Sequence, residues 1–195
     1  MLIVLTGIDG SGKTTAARAL VDSARTESRN ALLLSNHAAR RRLSLIGARI
    51  GWKPPARLAD FIETGVRVVN VLISHARASR FDGLVVMDRH LHCQLALREA
   101  AGLPRGRFLP WLLKALPSPD LMIHFDVDPQ RACRRVMARG TDSETLADLI
   151  AFRDAYRSLP EFDQFLEVDA NGDPEATLSH IRLALAQPSL TSQPL

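Results

Sequence analysis

The fold of this chain is decided near its start, where the sequence reads Gly7-Ile8-Asp9-Gly10-Ser11-Gly12-Lys13-Thr14. This stretch fits the pattern Gly-x-x-x-x-Gly-Lys-Ser/Thr, in which successive backbone N–H groups cradle phosphate oxygens. It follows the apolar run Leu2–Leu5 and opens an amphipathic stretch at Lys13. The sequence therefore predicts a phosphate-binding loop (P-loop) between a buried strand and a helix.

Each residue type in this loop has a chemical role. Glycines permit tight turns, and the N-terminus of the following helix adds the positive end of its dipole. Lys13 is expected to neutralise the outer phosphates of ATP, and the Thr14 hydroxyl is expected to coordinate the accompanying magnesium ion. We assign nucleotide binding to these residues of the loop: Gly7, Asp9, Gly10, Ser11, Gly12, Lys13, Thr14 and Thr15.

Beyond the loop, short apolar runs alternate with amphipathic stretches, which predicts a mostly parallel sheet covered on both faces. The predicted strands are Leu2–Leu5, Ala31–Leu34, Leu84–Met87, Leu121–Phe125 and Phe165–Val168. The predicted helices are Lys13–Glu27, Leu58–Arg80, Leu91–Ala100, Phe108–Leu116, Pro129–Met137, Glu144–Leu159 and Pro174–Leu185. We expect a three-layer α/β/α fold with a five-stranded, mostly parallel sheet. It is expected to form one domain over residues 1–186, followed by a flexible tail at 187–195.

One predicted helix, Leu58–Arg80, has a wide apolar face. Three- and four-residue spacing joins Ile62, Val66, Val69, Ile73 and Ala76, which predicts packing on the core. Phe61, Val68 and Leu72 widen the arc. Part of this helix is therefore a candidate subunit contact, and we expect a homodimer.

The composition is that of a soluble globular protein, with 46% hydrophobic and 24% charged residues in 195. Of the 25 basic residues 22 are arginines, which suits phosphate ligands but also fits an arginine-rich proteome. Two cysteines and no recognisable leader or membrane-spanning run favour a cytoplasmic protein. Aromatic residues at 5% argue against a nucleic-acid partner.

A second polar cluster follows the third predicted strand, where Asp88 and Arg89 occur. Ligands of open parallel sheets bind beyond the carboxyl ends of the strands, so both residues are expected beside the P-loop. Asp88 is a candidate metal ligand. Arg89 is a candidate clamp for a second anionic group, which a phosphoryl-transfer enzyme needs and a simple hydrolase does not.

A third basic cluster predicts a lid at about residues 139–147. Helical spacing puts Arg131, Arg135 and Arg139 on one face, ahead of Gly140 and a polar loop. Arg135 or Arg139 is expected to stabilise charge on the transferring phosphate, and a solvated helix face remains the alternative. Arg40-Arg41-Arg42 equally fits a phosphate contact or a solvated helix start. The spacing of His90, His92 and Cys93 matches no standard zinc site.

Together these motifs resemble the thymidylate kinases, a family of P-loop nucleoside monophosphate kinases. Beyond the P-loop, the resemblance is carried by Asp88-Arg89, Pro119-Asp120-Leu121, Asp126-Val127-Asp128-Pro129, Arg139-Gly140, and the pair Arg153 and Tyr156. It implies a three-layer α/β/α P-loop kinase fold and ATP-dependent phosphorylation of a nucleoside monophosphate, with dTMP as the first candidate. It also implies contacts of Asp9 with the acceptor's sugar, of Arg67 and Arg89 with its phosphate, of Gln94 with its base, and of Tyr156 with its sugar or base.

Several residues depart from the family pattern. The family's Arg-Glu-Pro-Gly segment after the second strand is replaced by Leu34-Ser35-Asn36-His37-Ala38-Ala39-Arg40, and its stacking aromatic by Glu63, near which Phe61 is a possible substitute. The family's Asp-Arg-Tyr reads Asp88-Arg89-His90, and Asp142-Ser143 stands where an Asp-Arg pair is common. A kinase of a hydroxyl acceptor, with Glu63 as its base, and a non-catalytic nucleotide-binding module therefore remain as alternatives.

Overall fold

The computed structural model describes residues 1–36, 55–140 and 144–186. Its centre is a five-stranded sheet in the order β2-β3-β1-β4-β5, with every neighbouring pair parallel. The strands are β1 (Leu2–Thr6), β2 (Ala31–Ser35), β3 (Leu84–Asp88), β4 (Leu121–Asp126) and β5 (Leu166–Asp169). The predicted α/β fold and its five strands are confirmed.

Seven α-helices occur within the described ranges. They are α1 (Lys13–Thr26), α2 (Ala56–Ala78), α3 (Leu91–Ala100), α4 (Phe108–Ala115), α5 (Pro129–Arg139), α6 (Leu146–Arg157) and α7 (Pro174–Ala186). A short 3₁₀ helix, Phe162–Gln164, precedes β5.

Most helix ends differ from the predictions by one or two residues, and local capping explains two of them. Helix α5 continues past Met137 to Arg139 and ends where Gly140 adopts a left-handed conformation (φ 61°). Helix α6 starts at Leu146 rather than Glu144, because Thr145 and Asp148 form a capping box around its first turn.

Strand β1 lies at the centre of the molecule. Its residues Ile3, Val4 and Leu5 are fully buried, as expected for a strand covered on both faces. From β1 the chain leads to β2 on one side of the sheet, and from β4 it leads to β5 on the other. The carboxyl ends of β1, β3 and β4 therefore border the crevice where open parallel sheets bind ligands.

The prediction that the apolar stripe of α2 packs on the core is wrong. Val66, Val69 and Ile73 are 37%, 54% and 53% exposed, and Ala76 is exposed as well. The buried side of α2 is largely polar and is formed by Glu63, Arg67, Val71, Ser74 and His75. The helix turns its polar face inward because that face meets the polar ends of β2 and β3, described below.

Three sequence features lie wholly or partly outside the described residues. They are the arginines Arg40, Arg41 and Arg42, the centre of the predicted lid at 141–143, and the tail at 187–195. None of the described helices is long and apolar enough to cross a membrane.

Candidate active site

The P-loop connects β1 to α1, as predicted. Gly12 is the N-cap of α1 with φ 92°, and Gly10 has φ 82°, backbone conformations that favour glycine. A Cβ atom on Gly10 would lie 2.5 Å from the carbonyl oxygen of Ala132 in α5. Glycine at this position therefore allows α5 to pack directly against the phosphate loop.

The Lys13 side chain is folded over the loop and is only 4% exposed. Its Nζ donates to the carbonyl oxygen of Ile8 at 2.5 Å and to Ser11 Oγ at 3.0 Å. Burial lowers the pKa of Lys13, and the charge of Asp88 offsets part of that effect. Phosphate oxygens can replace these two acceptors, and their negative charge stabilises the ammonium form.

Thr14 and Asp88 form the pair predicted to hold a metal. The parallel register sets Asp88, the last residue of β3, beside Leu5 of β1, and Thr14 Oγ1 donates to Asp88 Oδ2 at 2.6 Å. Asp88 is 2% exposed, and its other oxygen, Oδ1, is buried without a hydrogen-bond partner among the described groups. A hydroxyl and a carboxylate oxygen fit Mg²⁺, which usually takes one or two protein ligands plus nucleotide phosphates.

Arg89 lies directly after β3 in a strained backbone conformation, with φ 75°. Its amide donates to the carbonyl oxygen of Leu5 at 3.0 Å. Its guanidinium forms an ion pair with Asp9 of the P-loop and donates to Cys93 Sγ at 3.5 Å. The predicted clamp therefore lies next to the loop, with a carboxylate occupying part of its hydrogen-bonding capacity.

Arg67 on α2 is the second predicted clamp, and it is 1% exposed. It donates to Gln94 Oε1 at 3.0 Å and to the carbonyl oxygen of Asn36 at 3.4 Å, and it lies 3.6 Å from Glu63. Gln94 in turn donates to Asp60 at 3.1 Å. This network fixes both ends of the Gln94 amide, the residue expected to contact the acceptor's base.

Cys93 Sγ accepts a hydrogen bond from Arg89, and its thiol is also influenced by the charge of Arg67. Burial acts to raise the pKa of its thiol, but the charges of Arg67 and Arg89 bring that pKa below its ordinary value. Both guanidinium groups therefore act on the same sulfur. Arg67 donates to the carbonyl oxygen of Asn36, and Asn36 Nδ2 donates to the carbonyl oxygen of Arg89, so the two arginines flank one residue and are called the cationic subsite.

Tyr156 is fully buried where α6 packs against α3. Its ring packs against Phe152 and His124, with ring centroids 4.9 Å away in each case. Burial raises the pKa of its hydroxyl well above the ordinary value, and the neighbouring Cys93 adds to that effect. Tyr156 is thus a core residue in this structure, and its contact with a sugar or base remains a prediction.

The two candidate lid arginines lie in different environments. Arg135 donates to the carbonyl oxygens of Gly10 and Ala170, at 3.2 and 3.3 Å, so it bridges the P-loop and the segment after β5. Arg139, one turn later, is exposed, and its described side-chain hydrogen bond is to the carbonyl oxygen of Arg135, at 3.4 Å.

A cavity of about 210 Å³ opens on the α7 side of the P-loop. Its lining comes from the loop, α1, β4, α5, the segment after β5 and the start of α7, and consists of Ser11, Gly12, Thr15, Ala16, Phe125, Arg135, Ala170, Gly172, Pro174, Thr177 and Leu178. The cavity is adjacent to the phosphate-binding residues and mostly apolar, as a site for the nucleoside part of a nucleotide should be.

Two ordered contacts near the site were missed by sequence reasoning. Arg153 of α6 makes two hydrogen bonds to Asp126 at the end of β4, at 2.7 and 2.8 Å. Arg153 is thus tied to the end of β4. Asn36, fully buried after β2, contacts both clamp arginines. The sequence signal that could have identified Asn36 as a site residue is its position directly after a predicted strand.

A row of buried histidines lies behind the clamp. His75 Nε2 and His90 Nε2 are 2.9 Å apart, and His90 Nδ1 and His92 Nδ1 are 3.3 Å apart. Burial lowers the pKa of each of these three histidines. Among the residues that the structure describes, no group of three or more acidic, cysteine or histidine side chains could hold a metal ion.

These elements define a class of protein. A lysine in the P-loop, a hydroxyl–carboxylate pair and a separate pair of arginines would together offer one position for a nucleotide's phosphates and one for a second anion. That arrangement is the one a P-loop nucleoside monophosphate kinase requires.

Comparison with known proteins narrows the class. The thymidylate kinase family profile matches residues 68–181, which is more than half of the chain and excludes the P-loop. A probable thymidylate kinase from Pyrococcus abyssi is 32% identical over 158 residues, covering 73% of this chain and 72% of that protein. A thymidylate kinase from Xanthomonas oryzae pv. oryzae is 31% identical over 186 residues, covering 91% and 79%. The chain belongs to the thymidylate kinase family.

Proposed function

We propose that this protein transfers the γ-phosphoryl group of ATP to dTMP, giving ADP and dTDP. The observation that carries the proposal is the cationic subsite of Arg67 and Arg89 beside the P-loop. A hydrolase has no use for a second buried anion site at this position, whereas a kinase of a monophosphate requires one. The choice of dTMP among the nucleoside monophosphates comes from the thymidylate kinase family, to which the chain belongs.

The donor nucleotide is assigned to the P-loop and the adjoining cavity. Lys13 exchanges the carbonyl oxygen of Ile8 and the hydroxyl of Ser11 for phosphate oxygens, which keeps its buried charge balanced. Thr14 and Asp88 are the residues that would hold Mg²⁺. When bound there, Mg²⁺ would neutralise negative charge on the outer phosphates.

The acceptor phosphate is assigned to Arg67 and Arg89. We infer that it competes with Asp9 for the Arg89 guanidinium, and that the Asp9 carboxylate is then available for the acceptor's sugar, as the family resemblance implies. The attacking oxygen belongs to a phosphate and is already anionic. The site therefore needs positioning and charge neutralisation rather than a general base.

The two lid arginines receive different roles. Arg135, which lines the cavity and binds the carbonyl of Gly10, is assigned to holding the donor site together. Arg139 lies at the exposed end of α5 next to Gly140, so it is the arginine assigned to close over the transferring phosphate. Substitution of Arg139 by Ala should lower kcat, while substitution of Arg135 by Ala should chiefly raise KM for ATP.

The alternative of a hydroxyl acceptor depends on Glu63. A general base must be free to take a proton, but Glu63 is buried 3.6 Å from Arg67 and acts as its counterion. This pairing favours the monophosphate acceptor. Glu63→Gln tests the choice: retained turnover with dTMP supports the proposal, and turnover with thymidine that is abolished by Glu63→Gln supports the alternative. ATP binding without transfer to any acceptor would support a non-catalytic module.

We further propose a homodimer formed through α2. Its exposed side chains include six large apolar ones, between 37% and 75% exposed: Leu58, Phe61, Val66, Val69, Leu72 and Ile73. Burying such a face removes a large apolar area from water. A cytoplasmic location is also part of the proposal, and the two free cysteines are consistent with it.

A further inference from the structure

We propose that Asn36 is a positioning residue that locks the backbone of Arg89 and thereby aims its guanidinium at the acceptor phosphate. This inference rests on the proposed function, and it concerns the segment in which the chain departs from its family. Asn36 is fully buried directly after β2. Its backbone N–H donates to the carbonyl oxygen of Asp88 at 3.0 Å, which links Asn36 to the end of β3.

The hydrogen bonds of the Asn36 side chain fix its orientation. Asn36 Nδ2 donates to the carbonyl oxygen of Arg89 at 2.8 Å, and Asn36 Oδ1 accepts from the Ser74 hydroxyl of α2 at 2.7 Å. The donor end of the amide therefore faces the clamp, and the acceptor end faces α2. A flipped amide would lose both bonds.

The bond to Arg89 has a specific mechanical consequence. A left-handed conformation is costly for a residue with a side chain and persists only where the surroundings impose it. Both backbone polar groups of Arg89 are held, its N–H by Leu5 and its C=O by Asn36. Losing the Asn36 bond frees one of the two, so Arg89 can relax toward negative φ and turn its guanidinium away from Asp9 and the P-loop.

Asn36 also joins the two clamp arginines. Its own carbonyl oxygen accepts from Arg67 Nη1 at 3.4 Å, while its side chain binds the backbone of Arg89. One residue thus sets the spacing between both members of the cationic subsite and the metal-binding Asp88. Asn36 therefore supports the acceptor subsite at the position where the family has its charged Arg-Glu-Pro-Gly segment.

The test compares Asn36→Ala with Ser74→Ala. Both variants lose the bond between Asn36 and Ser74, but only Asn36→Ala loses the bond to Arg89. Amide hydrogen exchange followed by NMR should show the Arg89 amide exchanging about tenfold faster or more in Asn36→Ala. That rate should be unchanged in Ser74→Ala, and the amide of Val86 in the middle of β3 should be unaffected in both.

The kinetic consequence is measured separately. Asn36→Ala should raise KM for dTMP about tenfold with KM for ATP unchanged, and Ser74→Ala should leave both within about twofold. In an Arg89→Ala background, Asn36→Ala should have no further effect on KM for dTMP, because Asn36 acts through the guanidinium. Asn36→Asp, which keeps the side-chain volume and the Ser74 bond, should reproduce the defect if Asn36→Ala fails to fold.

Each part of the inference has its own contradicting result. The lock would be overturned if the Arg89 amide exchanged at the same rate in Asn36→Ala and in Ser74→Ala. If Asn36→Ala does not fold, the same comparison is made between Asn36→Asp and Ser74→Ala. Faster exchange with an unchanged KM for dTMP would overturn its role in acceptor binding. A wild-type protein that does not phosphorylate dTMP would count against the proposed function alone, since the exchange comparison needs neither substrate nor turnover.

Discussion

The structure predicts a steep loss of stability in mild acid, caused by buried histidines. His124 is 1% exposed, hydrogen-bonded to Thr6 Oγ1 at 3.2 Å and surrounded by aromatic rings. Burial lowers its pKa to about 4, with the positive charge of Lys13 acting in the same direction. His92, 7% exposed, likewise has its pKa lowered by burial to about 4.

The sign and size follow from linkage. In the unfolded chain a histidine has a pKa of about 6.5. Below that pH the histidine is protonated in the unfolded state but stays neutral in the folded state until the pH approaches its lower folded pKa. Stability is therefore complete above pH 6.5 and falls as the pH drops toward 4. At pH 5 each of His92 and His124 should cost about 2 kcal/mol of unfolding free energy relative to pH 7.5.

The assay is urea unfolding of wild type, His124→Gln and His180→Gln at pH 7.5 and 5.0. His124→Gln is expected to be less stable than wild type at pH 7.5, because it loses ring packing. Its loss of stability between the two pH values should nevertheless be smaller than that of wild type by about 2 kcal/mol. His180 is exposed, so His180→Gln should show the pH dependence of wild type. If His124→Gln lost as much stability on acidification as wild type, the account of a buried neutral histidine would be wrong.

Three further predictions concern the site and the surface. Lys13→Ala should lower kcat about 100-fold or more with an unchanged far-UV spectrum, and a near-normal rate would refute the P-loop assignment. Asp88→Asn keeps the acceptor for Thr14 but removes the charge, so the Mg²⁺ concentration for half-maximal rate should rise about tenfold; an unchanged Mg²⁺ profile would exclude Asp88 as a ligand. Val69→Glu should convert a dimer to a monomer in sedimentation experiments, while Ser79→Glu, beyond the end of α2, should not; a monomeric wild type would contradict the proposed interface.

The sheet was predictable chiefly because β1, β2 and β3 are short, almost continuous apolar runs that alternate with amphipathic stretches. A parallel sheet buried on both faces needs such runs, and Leu84-Val85-Val86-Met87 is buried throughout in the structure. The P-loop was predictable for a similar reason, since its residue types are dictated by backbone geometry and phosphate charge.

The prediction that the apolar face of α2 packs on the core was wrong because periodicity shows that one face of a helix is apolar but does not show which surface that face contacts. The inward side of α2 carries Arg67 and Ser74, which bind Asn36 at the end of β2, and Glu63, which pairs with Arg67. Buried arginine is rare without partners, and those partners come from distant parts of the chain. Sequence spacing within α2 therefore favoured the wrong side.

Asn36 was missed for a related reason. Its importance depends on three contacts with residues 38 to 53 positions away: Ser74 and the backbones of Asp88 and Arg89. The positive φ of Arg89 has no signature in the sequence, because glycine is the residue normally found there. Contacts of this kind become visible only when the ends of β2 and β3 are placed side by side.

Identification of the product that the purified protein forms from dTMP decides whether it is a kinase of this monophosphate. Purified protein is incubated with ATP, Mg²⁺ and dTMP, and the nucleotides are separated by anion-exchange chromatography. Wild-type protein should form dTDP and ADP in equal amounts, and Lys13→Ala should form both about 100-fold more slowly or slower still. ADP released without dTDP, or phosphorylation of thymidine but not of dTMP, would contradict the proposed function.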